Sequence, residues 1–334
     1  FCMVDAMTVA RMTSSTAFLV LSALLTSSPA SAATVESVVA DVRAEAQQLR
    51  AQGERLPLTT LRGLQSDVYL ARRHAEPTAS FETQHKAWPM AQVFVAVDAL
   101  VRRPRGDGGP IFKFTQPGDV AAHFGLDAKQ RAALAGKEHD ALVTGLLLQL
   151  GASSDDRVPL LLQSLPVAGQ PVWDAARWMA YGQSLRRHTQ QDTLLRPLLQ
   201  VAQDRSVDVM VREAAAAALG SVPSEAALES ASMLLADVDL QRAALSALSR
   251  SGDARLARRH RRPQVAERAL QMLTTYAASQ DSSTLEADVV ARAMVGCALT
   301  PTSLQDAAEQ LQKTQPALSR RLLQYAQLQA RRRR

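Results

Sequence analysis

Arg258-Arg259-His260-Arg261-Arg262 is the densest charge cluster inside this sequence. A guanidinium presents its N–H donors as a planar fork, so neighbouring arginines suit bidentate capture of phosphate, carboxylate or sulfate. Arg331 to Arg334 repeat that chemistry. Metal and nucleophile chemistry find less to work with. The six histidines, His74, His85, His123, His139, His188 and His260, are scattered, and none falls in a His-Glu-x-x-His pattern. No Gly-x-Ser-x-Gly elbow and no phosphate-binding glycine loop occurs. Cys2 and Cys297 are the only cysteines, too few for a disulfide framework or a cysteine metal site. Cys297 lies in the apolar run VVARAMVGCALT and is expected to pack as a small buried hydrophobe. Trp173 and Trp178 share one helical run and are assigned to core packing rather than ligand stacking. The sequence therefore nominates no catalytic, cofactor or metal residue. Its candidates for binding an anion or a partner are Arg258, Arg259, His260, Arg261 and Arg262.

Those five residues fall between the run after Gly252 and a helix starting near Pro263, which predicts an inter-helix loop. The elements that must carry the loop are clearest just before it. Asp208 to Gly252 reads DVMVREAAAAALGSVPSEAALESASMLLADVDLQRAALSALSRSG. Arg212 and Arg242 head two alanine-leucine runs, and Leu219 and Leu248 end them, a period of about thirty residues that marks stacked helical units. Alanine, leucine, glutamate and arginine are good helix formers. Gly220 is placed to end its helix in a left-handed turn, and Ser224, just past Pro223, to cap the next. Ala227, Leu228, Ser232, Met233 and Leu235 are expected to form a half-buried stripe, with Asp237 and Asp239 beginning the following helix.

This stretch resembles the HEAT-like repeats of the phycobilisome-lyase type. The matching residues are Asp208, Val209, Val211, Arg212, Ala214, Ala217, Leu219 and Gly220. They recur as Asp237, Val238, Leu240, Arg242, Ala244, Leu245 and Leu248, with Ser249 and Gly252 replacing the leucine-glycine end. The arginine is displaced by one position between the copies. The resemblance implies an α-solenoid scaffold and leaves chemistry open, because a fold does not fix a function. HEAT-like metal hydroxylases use paired His-Glu dipeptides, whereas this chain has only the reversed pair Glu138-His139.

Taken in order, the chain divides into three stretches. Residues 1–32 read as a signal peptide: Arg11, then the apolar core AFLVLSALL, then Ala30-Ser31-Ala32 as a small-x-small cleavage site. The apolar core is too short to span a membrane, so no transmembrane segment is expected in the mature chain. Residues 33–117 are expected to hold two antiparallel helices joined near Gly53–Pro57. An irregular insert or small β-hairpin then follows over 76–117, within which AQVFVAVDALV suits either a buried helix or a strand. Residues 118–330 are read as the HEAT-like repeat domain. DVAAHFGLDAKQRAAL at its start has helix-turn-helix spacing, but Arg131 falls where the second helix needs an apolar anchor. The run is therefore read as an ordinary helical hairpin. Pro263, Pro301 and Pro316 are placed at helix starts.

Aromatics are 4% of the residues, which argues against a β-sandwich. The net charge of +6 weakly favours anionic partners. The expected fold is an all-α superhelix. The expected function is an exported, periplasmic or extracellular, non-catalytic scaffold that binds a protein partner and needs no cofactor. Two rivals stand beside it: a lyase- or glycosylase-like enzyme on the same fold, and an electrostatic binder of anionic polymer or nucleic acid. Export would put nucleic acid out of reach of the last.

Overall fold

A computed structural model describes residues 34–54, 89–102, 139–167, 169–186, 188, 191–259, 261–281 and 286–332. The described residues are all-α, with no strand among them. Their helices are α1 (Val35–Ala51), α2 (Met90–Val101), α3 (His139–Ala152), α4 (Val158–Ser164), α5 (Pro171–Leu185), α6 (Arg196–Gln203), α7 (Val209–Leu219), α8 (Glu225–Met233), α9 (Gln241–Ser251), α10 (Ala254–Arg259), α11 (Pro263–Ser279), α12 (Ala287–Cys297), α13 (Pro301–Leu311) and α14 (Pro316–Arg332). Single 3-10 turns precede α6 at Asp192–Leu194 and follow α8 at Leu234–Ala236.

Local chemistry starts and stops these helices. The side-chain oxygens of Thr34, Asp208, Ser224 and Thr300 accept from the N–H groups of Ser37, Met210, Ala227 and Ser303, satisfying donors that a first helical turn leaves free. Pro171, Pro263 and Pro301 open α5, α11 and α13, where a missing N–H costs nothing.

Packing runs in series. Helices α3, α5, α7, α9, α12 and α14 each lie against the next in that order, forming a first row. Each of α4, α6, α8, α11 and α13 packs on the first-row helix that follows it. In the second row α11 also touches α8 and α13. The first row is held close by small residues. A β-carbon on Gly182 of α5 would stand 2.6 Å from the carbonyl oxygen of Ala218 in α7, and one on Gly220 2.8 Å from Cα of Ala247 in α9. Gly151 meets the Ala180 backbone in the same manner, and Gly296 meets the Ser249 hydroxyl. These contacts bring together the C-terminal halves of α3, α5, α7, α9 and α12. Ala215, Ala216 and Ala218 of α7 are fully buried along this seam.

Gly220 thus departs from its sequence-based role. Its φ is −66°, an ordinary right-handed value. The glycine is required by the approach of α9, not by a left-handed cap. Two other expectations change beside it. Asp237 and Asp239 precede α9, which starts at Gln241, and Met233, within the expected stripe, stands 55% exposed. Ser224 and the prolines open helices where expected, and Trp173, Trp178 and Cys297 are buried.

Residues 90–101, expected within an irregular insert, form helix α2. The rest of that insert, the second N-terminal helix, the helix-turn-helix run and the signal segment lie outside the described residues. Both α1 and α2 belong to the same apolar core as the later helices. Helix α2 packs on α3, and α1 packs on α2 and α4. Buried Asp98 of α2 binds Arg43 of α1 at 2.8 Å and Arg102 at 2.7 Å. Arg157 reaches back from the start of α4 to Glu45 of α1 at 2.9 Å.

Candidate partner-binding surface

The arginine cluster sits on the connection from α10 to α11. Arg258 and Arg259 form the last turn of α10, Arg261 and Arg262 the link, and Arg262 the residue before Pro263. His260 is outside the described residues. Two backbone bonds close the end of α10: the Arg262 N–H donates to the Ala257 carbonyl at 2.7 Å and the Arg261 N–H to the Arg258 carbonyl at 3.2 Å. This is a Schellman-type ending, in which the link residue must be left-handed. Arg261 has φ +56°, the only positive φ at a non-glycine among the described residues. An L-residue there costs about 1–2 kcal/mol.

All four described arginines are exposed. Two are held by neighbouring connections. Arg258 donates to the carbonyl of Leu299, between α12 and α13, and Arg262 donates to the carbonyl of Pro223, between α7 and α8, at 3.3 Å. The cluster therefore bridges the connections on either side of its own. Carbonyl acceptors orient a guanidinium without neutralising it, and none of the four arginines pairs with a carboxylate among the described residues. Asp253, five residues before the cluster, is engaged in accepting from the N–H groups of Arg255 and Leu256.

A second feature was not singled out from sequence. Between α8 and α11 lies an open groove of about 510 Å³, lined by Leu235, Arg268, Gln271, Met272, Tyr276 and Gln280 among others. Exposed Met233 stands next to it in sequence. Burial raises the pKa of the Tyr276 phenol; a hydrogen bond to Gln241 works against this, and the charge of Glu286 adds to it. The two walls are some thirty residues apart in sequence, and helical periodicity describes one wall at a time.

Cys297 and Tyr181 are buried among the helices. Burial pushes the Cys297 thiol well above its ordinary pKa, and its Sγ lies 3.8 Å from the carbonyl oxygens of Leu248 and Ser249. Such a thiol is not poised as a thiolate. Tyr181, fully buried in α5, donates to the Leu194 carbonyl at 2.9 Å and accepts from Gln163 Nε2 at 3.1 Å. Burial raises its phenol pKa to about 12, against the lowering effect of the Gln163 bond.

Fold and surface together define an all-α protein of serially packed helical hairpins, with an arginine-rich connection at one edge. Compared with protein-family models, with curated proteins and with solved structures, the chain shows no significant match.

Proposed function

We infer that the chain is an exported, HEAT-like α-solenoid that works as a non-catalytic scaffold for a protein partner. The observation that carries this reading is the serial hairpin packing, together with what the repeat leaves exposed. Asp208-Val209 and Asp237-Val238 begin equivalent units, and both valines face solvent, Val209 at 48% and Val238 at 85% exposure, with Met210 beside the first. An apolar side chain presented at the same place in successive units is a recurring contact point, and stacked repeats bind through many such points along an extended surface. The signal-peptide pattern of residues 1–32 supports work outside the cytoplasm. Determination of the N-terminus in fractionated cells, followed by cross-linking of the exported chain, tests both halves. The expected result is a chain beginning at Ala33, cross-linked to a protein, with the yield lowered by Val238→Asp. A cytosolic chain that keeps residues 12–32 removes the export half. Cross-linking that is indifferent to Val238 removes this edge as the contact.

A further inference from the structure

The arginine connection and the groove lie along one gap, between helices α8 and α11. Arg262 spans the gap at the N-terminal end of α11, through its bond to the carbonyl of Pro223, the residue that precedes the Ser224 cap of α8. The groove opens the same gap further along, where Leu235 and Ala236 at the end of α8 face Arg268, Met272 and Tyr276 of α11. One end of the gap is thus cationic and the other partly apolar.

Building on the scaffold reading, we propose that this gap is the docking site for an extended acidic segment of the protein partner. Its carboxylates lie on Arg259, Arg261 and Arg262, and an apolar side chain enters the groove against Leu235 and Met272. Arg262 is already oriented by the carbonyl of Pro223, so it loses little freedom when a carboxylate arrives. Arg259 and Arg261 are exposed and have no carboxylate partner among the described residues. Among the described non-glycine residues the one positive φ, at Arg261, falls within this cluster. From Arg261 to the middle of the groove, α11 rises by about 18 Å at 1.5 Å per residue, the reach of about five or six extended residues. A uniform polyanion would find Arg268 in the groove but would leave Leu235, Ala236 and Met272 uncovered, whereas a peptide can supply both an acid run and an apolar side chain. Methionine is the residue that adapts most readily to such a guest.

The test is fluorescence anisotropy of the full chain with a labelled synthetic peptide that carries a run of glutamates and, about five residues on, a leucine. A second peptide has serine in place of the leucine, and inorganic polyphosphate is the competitor. The double substitution Arg259→Glu with Arg261→Glu leaves the tethers of Arg258 and Arg262 in place, and circular dichroism checks that it folds. The proposal expects the leucine peptide to bind, the serine peptide to bind more weakly, and the double variant to lose about tenfold or more in affinity. Equal binding by wild type and folded double variant overturns it, as does equal binding of the two peptides. Polyphosphate that binds more tightly and displaces the peptide assigns the arginines to a phosphate polymer instead. Cross-linking in cells separates this proposal from the scaffold reading. If the double variant still captures the wild-type partner, the scaffold stands and this site falls; if wild type captures no protein, the scaffold falls as well.

Discussion

Arg212 shows how one side chain can join successive hairpins. It is 5% exposed, and its Nε donates to the Ala202 carbonyl in the last turn of α6 at 3.0 Å. Its terminal nitrogen binds the Asp237 carboxylate, just before α9, at 2.5 Å. The first bond satisfies a carbonyl that a helix end leaves open, and the second neutralises the buried charge. Arg212→Leu should cost about 2 kcal/mol at neutral pH, read by urea denaturation. Its pH dependence has a definite sign. Desolvation raises the Asp237 pKa, but the Arg212 hydrogen bond, the Asp239 N–H and the charges of Arg212 and Arg205 outweigh it and hold the carboxyl below its ordinary value. A depressed folded pKa contributes stability above the unfolded pKa and loses it as pH falls through the folded one. The difference between wild type and Arg212→Leu should therefore shrink on acidification; a constant difference would mean that the ion pair contributes nothing. Tyr181 titrates in the opposite sense. Its folded pKa of about 12 lies above the ordinary phenol value, so its contribution is full below pH 10 and is lost as pH rises toward 12. Ultraviolet titration should show one tyrosinate appearing about two units late, and Tyr181→Phe should abolish that late step.

At the scale of the helix, small residues decide the spacing. The Gly182 site has no room for a β-carbon against the Ala218 backbone, so Gly182→Ala must push α5 and α7 apart. A cost of about 1–3 kcal/mol is expected, without loss of helicity, because alanine is the better helix former. Thermal melts with far-UV circular dichroism would check it; a rise in Tm would mean that the seam can open freely. The same seam explains what could be read from sequence. Caps and prolines are local chemistry, so Ser224 and Pro263 were legible. The alanine-leucine faces were legible because helical period and burial agree. Gly220 was misread because glycine at a helix end serves equally for a left-handed turn and for a close neighbour, and only the neighbour's position distinguishes them. Helix α2 was ambiguous because it buries nearly every side, Ala91 to Phe94, Ala96, Val97 and Leu100 included, and burial without period carries no signal. The arginines were legible as a cluster, but their tethers to Pro223 and Leu299 were not, since those partners lie about forty residues away in each direction. The groove needed two helices at once, and sequence supplies them one at a time.

At the scale of the molecule, packing in series has consequences that a single compact core would not share. Apart from α1, the described helices pack with near neighbours in the chain, and α14 touches only α12 and α13 among its main contacts. Arg321 of α14 also pairs with Asp288 at the start of α12. In such an array stability is a sum of unit terms and neighbour terms, so removing the last hairpin removes one unit and one interface. Deletion of residues 301–332 should therefore leave a folded chain with a lower Tm and helicity reduced only in proportion to the residues removed. The face of α12 that α14 covers would then be open to water and would lower its solubility, since a terminal unit needs a polar outer face. Deletion of α7 and α8, residues 209–233, should be far more damaging, because it removes Arg212 together with the partners of both Gly182 and Ala247. Small-angle scattering adds an independent measure. A compact chain of this length has a radius of gyration of about 20 Å, and an elongated array must exceed it. A wild-type value near 20 Å, with both deletions unfolding the chain completely, would replace the proposed solenoid by a single cooperative globule. A larger value that falls on deletion of 301–332 while the rest stays folded would establish the array on which the proposed docking gap depends.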